Sequence, residues 1–162
     1  MRWRNFDYSS ARSYFVTFCT HERKNILSHI VGAIHESPAV ELSGCGRVID
    51  TAIKAIPDRF EVTVDHYVIM PNHIHLLLTI KSEESNPIAS NIPGENRSIL
   101  SKIIGYTKMN ASKEINKRFG FTDIWQRGFY DHVVRDSEEF QKIIKYIHEN
   151  PLLWQMGITE DW

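Results

Sequence analysis

The run Met70-Pro71-Asn72-His73-Ile74-His75-Leu76-Leu77-Leu78-Thr79-Ile80 constrains this chain more than any other stretch. Pro71-Asn72 is turn chemistry, and the aliphatic run behind it is the pattern of a buried strand. Successive side chains of a strand point to opposite faces, so His73 and His75 share one face, with Cα atoms about 7 Å apart at roughly 3.3 Å per residue. Ile74, Leu76 and Leu78 take the other face and can fill a core. Two imidazoles side by side can meet on one metal ion. They can equally be two histidines packed on a sheet, and a third ligand with a reactive group arriving from elsewhere distinguishes the cases.

The flanking segments give the strand its neighbours. Arg12 to Thr20, rich in aromatic and β-branched residues, predicts a first strand. The poorly patterned stretch from Ile26 to Ser43 predicts irregular structure with a minor hairpin. Val48, Ile49, Ala52, Ile53 and Ile56 recur at helical spacing, predicting a helix from about Gly46 to Ile56 that Pro57 stops. Phe60 to Ile69 is a second strand, turned by Met70-Pro71-Asn72 into the histidine strand as an antiparallel hairpin. Residues 81–96 are polar, carry Pro and Gly and lack periodicity, which predicts a mobile loop within one domain of 162 residues.

Ile99, Ile103, Tyr106, Met109 and Ile115 mark a second helix ending near Phe119-Gly120, and Phe129 to Arg135 a last strand. Asp136 followed by Glu139 is a capping-box start for a final helix. The order β, α, β, β, α, β with an extra C-terminal helix is that of an α+β, ferredoxin-like sandwich, a four-stranded antiparallel sheet with two helices on one face.

Charge and cysteine content exclude little. A formal net charge of −1 does not announce a nucleic-acid binder, yet between Arg97 and Arg118 six bases stand against the single acid Glu114. Cys19 and Cys45 have no Cys-x-x-Cys partner and read as reduced thiols. With no apolar signal core and no membrane-length run, a cytoplasmic protein is expected.

The final helix carries the second candidate cluster. Phe140, Ile143, Ile144 and Ile147 form an apolar stripe that docks on the sheet, and Tyr146 and Asn150 fall together on its flank. Pro151 predicts that the helix ends at Asn150. An amphipathic boundary tyrosine and a helix terminator account for the same two residues without chemistry.

Three blocks, Pro71 to Leu78, Trp125-Gln126-Arg127-Gly128-Phe129-Tyr130-Asp131-His132-Val133-Val134-Arg135-Asp136, and Tyr146-Ile147-His148-Glu149-Asn150-Pro151, resemble in that order the single-tyrosine HUH transposases, above all the REP-associated tyrosine transposases of bacteria. The resemblance implies a DNA strand-cleavage and strand-transfer enzyme acting on single-stranded, hairpin-forming DNA. It implies that His73 and His75 are metal ligands, that Tyr146 is the nucleophile forming a 5′-phosphotyrosine, and that Asn150 supplies a third ligand. Many relatives carry Gln there, one methylene longer.

Mixed nitrogen and oxygen ligands suit Mg²⁺ or Mn²⁺, Mn²⁺ better matching imidazole. Trp125, Arg127, Lys102, Lys108 and Arg135 are candidates for stacking on bases and holding phosphates of an unpaired strand. Core packing explains Trp125 equally, as a solvated helix face explains the lysines. His132 and His148 are candidates for a general base, and Tyr130 and Tyr106 for alternative nucleophiles. A bacterial, nucleoid-associated location follows from the same resemblance, with a monomer and a homodimer both open. The competing reading is a hairpin DNA- or RNA-binding module derived from a transposase that no longer cuts.

Overall fold

The computed structural model describes residues 11–32, 37–81 and 99–158. The chain runs β1 (Arg12–Cys19), β2 (Ser28–Val31), β3 (Ala39–Leu42), α1 (Gly44–Lys54), α2 (Ile56–Arg59), β4 (Val62–Ile69), β5 (His73–Ile80), α3 (Ile99–Phe119), β6 (Tyr130–Val133) and α4 (Ser137–Gln155). Four strands form one sheet in the order β4-β5-β1-β6, and every neighbouring pair is antiparallel. This is the expected ferredoxin-like sandwich with its extra C-terminal helix. The hairpin foreseen between Ile26 and Ser43 is β2 paired with β3, a small separate sheet.

Strand periodicity divides the sheet into two faces. Val16 and Phe18 of β1 and Ile74, Leu76, Leu78 and Ile80 of β5 pack with Val48, Ile49 and Ile53 of α1 and Leu100, Ile103, Ile104 and Ile115 of α3. Each such side chain, fully buried, stabilises the fold by roughly 1.5–3 kcal/mol. On the opposite face Phe15 and Leu77 meet Ile143 and Ile147 of α4. Two helices therefore cover one side and the tyrosine-bearing helix covers the other, with β5 central and buried on both.

Several boundaries differ from the sequence reading, each for a local reason. Helix α1 begins two residues earlier because Ser43 caps it, its Oγ accepting from the Gly46 N–H at 3.0 Å. A Cβ on Gly46 would stand 2.1 Å from the Leu27 carbonyl oxygen, so only glycine allows α1 this close to the preceding segment. Pro57 does not simply stop a helix. It occupies the first turn of α2, where its missing N–H costs nothing. The last strand is shorter than expected, Tyr130–Val133. Asp136 caps α4 as predicted, accepting from the Glu139 N–H, while the Glu139 carboxylate accepts from the Arg135 N–H one residue beyond a simple capping box.

The largest correction concerns Pro151. Helix α4 does not end at Asn150 but runs through Pro151 to Gln155. Proline removes one intrahelical bond, at a cost of about 3 kcal/mol. Ile147, Asn150 and Pro151 are buried against the sheet, and beyond them Gln155 donates from Nε2 to the Gly32 carbonyl at 2.9 Å. Tertiary packing holds the helix where local preference would release it. The loop expected at 81–96 lies, from residue 82 on, outside the described residues.

Candidate active site

Pleating puts His73, His75 and Leu77 on the face that α4 crosses. Register adds Cys19 opposite His73 and Thr17 opposite His75 on β1, with Val68 opposite His75 on β4. The two imidazole centroids are 4.7 Å apart, at 72°. His75 is 6% exposed, and burial without an acidic partner is what favours neutral rings here.

Each ring is held at Nδ1. Thr17 Oγ1 lies 2.7 Å from Nδ1 of His75, and Asn72 Oδ1 lies 2.8 Å from Nδ1 of His73. The Asn150 side chain reaches the His73 ring as well, in a hydrogen bond that favours the protonated imidazole. Anchoring one ring nitrogen fixes which nitrogen is offered to a ligand. Desolvation by burial pushes His73 down to about 4 and His75 down to about 3. The hydrogen bond to Asn150 opposes the shift at His73, and the Arg23 guanidinium adds to it at both. Both rings are neutral at neutral pH, the form that binds metal.

Helix α4 brings the remaining groups. The Tyr146 ring centroid is 5.2 Å from that of His75, and Phe15, with no exposed surface, stacks on His75 at 5.3 Å and meets Tyr146 edge-on at 6.0 Å. Asn150, 6% exposed, sits one helical turn on. Four predicted residues, His73, His75, Tyr146 and Asn150, thus converge although 77 positions separate the first from the last in the sequence.

The other predicted residues do not join this cluster. Helix α3 packs on the opposite face of the sheet, and the half-buried Lys102 and Lys108 go with it. Lys108 turns back into the protein, its Nζ donating to the carbonyls of Gln126 and Gly128, and burial lowers its pKa. Trp125 is half-buried against Phe18, its indole N–H donating to the Lys108 carbonyl at 3.1 Å. Arg127 is exposed on a loop whose Gln126 N–H binds the Cys19 carbonyl, which places that loop at the His73 end of the sheet. Arg135 follows Val134, which pairs with Ser13, roughly 20 Å along the strand from the level of His73. His132 is tied to Glu139 at 2.7 Å, and His148 meets the His66 ring at 5.4 Å. Tyr130 is exposed on the edge strand, and Tyr106 lies on α3 against Phe60.

The sequence reading missed five residues around the pair: Thr17, Asn72, Phe15, Arg23 and Trp154. Asn72 was legible as the neighbour of His73, whereas Thr17 and Phe15 depend on cross-strand register that no local pattern reveals. Arg23 lies in the tight turn after β1, where Glu22 and Arg23 both have φ 54°, a conformation rare outside glycine. That turn is fastened to the histidine strand by Thr20 N–H and Oγ1 donating to the Asn72 carbonyl and by Asn72 Nδ2 donating to the Arg23 carbonyl at 3.3 Å.

The donor set fits a divalent cation. Two neutral imidazoles are oriented through Nδ1, and an amide stands at the His73 edge; among the described residues no further His, Cys, Asp or Glu completes a larger cluster. No helix of the described residues is long and apolar enough to cross a membrane.

Comparison with known proteins places the chain. An uncharacterised protein of Haemophilus influenzae is 29% identical over 164 aligned positions, covering 96% of this chain and 88% of that protein. A REP-associated tyrosine transposase of Escherichia coli is 25% identical, covering 68% of this chain and 56% of its own length. Among solved structures, a REP-associated tyrosine transposase bound to a REP hairpin shares the fold with a TM-score of 0.63 at 17% identity, across 98% of this chain and 76% of that one. The family model described as "Transposase IS200 like" matches residues 8–150, and the chain belongs to that IS200-like transposase family.

Proposed function

We propose that this protein is a metal-dependent single-stranded DNA nuclease and strand transferase that acts on hairpin DNA. The observation that carries the reading is the convergence of Tyr146 on His75 and of Asn150 on His73, each imidazole steadied through its other nitrogen. Membership of a transposase family supports it, as does the REP hairpin in a relative of the same fold.

In this reading His73, His75 and Asn150 hold Mg²⁺ or Mn²⁺. When bound, such a cation supplies Lewis-acid charge to a phosphate oxygen. The protein's own groups do the rest. Thr17 and Asn72 keep the ring nitrogens aimed, and Phe15 fixes the spacing of His75 and Tyr146. Tyr146 Oη attacks phosphorus, so an O–P bond to tyrosine forms as the P–O3′ bond breaks. The tyrosyl proton passes to water and O3′ takes one up. The downstream strand is left attached through its 5′ phosphate, and the upstream strand ends in a free 3′-OH. The phosphotyrosine conserves the ester, so a second 3′-OH reverses the step and joins strands. Tyrosine, with a pKa of about 10 in water, is barely ionised at pH 7, so proton removal accompanies attack.

For DNA contact we assign phosphate binding to Arg127, at the His73 end. Lys102 and Arg135 would meet only DNA that wraps beyond the site. Lys108 and Trp125 act by shaping the 125–128 loop. The test is polarity of the label. With Mn²⁺ and a pool of single-stranded hairpins bearing unpaired flanks, a 3′-end label should appear on the protein and a 5′-end label on a shorter free strand. The reverse pattern would refute the 5′-phosphotyrosine. Hairpin binding with neither product would favour the non-cutting binder.

A further inference from the structure

The continuation of α4 past Pro151 adds a third residue to the row that faces the histidines. Tyr146, Asn150 and Trp154 are spaced four apart, so they lie on one helix face over about 12 Å. The Trp154 ring centroid is 6.0 Å from that of His73, with the planes at 39°. Tyr146 stands by His75 and Trp154 by His73, so the imidazole pair is bracketed along the helix by the two aromatic rings.

That bracket has a direction. In an in-line displacement the attacking and leaving oxygens lie on opposite sides of phosphorus. With Tyr146 attacking from the His75 side, the departing O3′ faces the His73 side. The turn at Thr20–Lys24, the Pro71-Asn72 turn and the 124–128 loop gather at this end, bound to one another through Thr20, His21 and Gln126, and both Arg23 and Arg127 are exposed on them. Glu22 of the same turn pairs with Lys24, which leaves Arg23 and Arg127 as the exposed guanidinium groups of this end. Trp154 is only half-buried there. Trp125, the tryptophan used for packing, has its N–H satisfied by a carbonyl, whereas among the described residues nothing accepts from the Trp154 indole.

We propose that Trp154 is a stacking platform for an unpaired nucleobase, that of the nucleotide immediately 5′ of the scissile phosphate, which departs with the free 3′-OH. An indole face is sequence-tolerant and suits a flexible single strand, since every base has a π-face. The proposal rests on the strand-cleavage reading and adds to it a subsite that holds the strand end awaiting rejoining.

The experiment uses the hairpin that gives the best protein–DNA adduct, with one abasic nucleotide placed either 5′ or 3′ of the scissile phosphate. Trp154→Ala should raise KM for adduct formation about tenfold on the intact strand, and Trp154→Phe should restore most of it. On the 5′-abasic strand wild type and Trp154→Ala should become equal, while on the 3′-abasic strand the gap should persist. Mn²⁺ affinity and Tm should be the same in all three proteins. If Trp154→Ala folds poorly, the wild type alone decides: the 5′-abasic strand should lose about tenfold and the 3′-abasic strand little. A gap that persists on the 5′-abasic strand, or closes on the 3′-abasic one, overturns the proposal, as does a wild type indifferent to the missing 5′ base. If wild type forms no adduct on any hairpin, the cleavage reading itself fails and takes this subsite with it.

Discussion

Thr17 and His75 face each other across β1 and β5, and the threonine Oγ1 lies 2.7 Å from Nδ1 of the histidine. The contact fixes which nitrogen His75 presents to the site. Thr17→Val keeps the shape of the side chain and removes the oxygen. We expect Mn²⁺ affinity, measured by calorimetry, to fall about 10- to 100-fold, with a change in Tm of only a few degrees. Unchanged affinity would mean that packing alone orients the ring.

The buried histidines make stability depend on pH in a defined direction. Folded pKa values of about 4 for His73 and about 3 for His75 lie below the ordinary value of 6.5. Above pH 6.5 both states are neutral and nothing is lost. Below it the unfolded chain takes up protons that the folded site refuses until its own lower pKa is reached. In EDTA, stability should therefore decline from pH 6.5 toward pH 4, at up to about 1.4 kcal/mol per pH unit for each histidine. Urea midpoints across that range should fall less steeply in the His73→Ala, His75→Ala double variant. Parallel slopes would contradict the burial argument.

Phe15 touches both His75 and Tyr146, so its truncation should separate stability from activity. Phe15→Leu is expected to cost about 1 kcal/mol in urea unfolding. Adduct formation at a temperature where the variant is fully folded should nonetheless drop by tenfold or more, because an ångström of misplacement at a reacting group is costly. Loss in proportion to stability alone would reduce Phe15 to a filler of the core.

Two glycines within helices should respond oppositely to the same substitution. A Cβ on Gly46 would meet the Leu27 carbonyl oxygen at 2.1 Å, and that oxygen already accepts from Ser43 N–H and Oγ. Gly46→Ala should destabilise by about 1–3 kcal/mol, more than the roughly 1 kcal/mol that alanine gains in a helix. Nothing lies within 4 Å of a Cβ on Gly105, so Gly105→Ala should stabilise by about 0.5–1 kcal/mol. Thermal unfolding of both variants decides the point.

Local periodicity made half of the site legible. A period of two paired His73 with His75, and a period of 3.6 put Tyr146 beside Asn150, so each pair could be read within its own element. What periodicity cannot state is how elements meet. The partners Thr17 and Phe15 come from register between strands distant in sequence, and the basic α3 was visible as a charged helix but not as one on the far face of the sheet. Trp154 did carry a signal, since it repeats the Tyr146–Asn150 spacing. It was hidden by Pro151, whose local preference for ending a helix yields here to burial of Ile147, Asn150 and Pro151 and to the anchor from Gln155 to Gly32. The order of the main elements was readable because β1, β4, β5, α1 and α4 carry apolar patterns of their own length, whereas the 26–43 stretch and the short α2 carry none.

The central claim is that Tyr146 becomes covalently linked to DNA at the His73–His75 site. The most direct measurement is a denaturing gel of wild type, Tyr146→Phe and His73→Ala incubated with Mn²⁺ and 3′-labelled hairpin DNA. The account predicts a labelled protein band in wild type, its loss on adding EDTA, its absence in Tyr146→Phe and its near-absence in His73→Ala, with all three proteins folded by circular dichroism. A band of undiminished intensity in Tyr146→Phe would contradict it and move the nucleophile to another tyrosine.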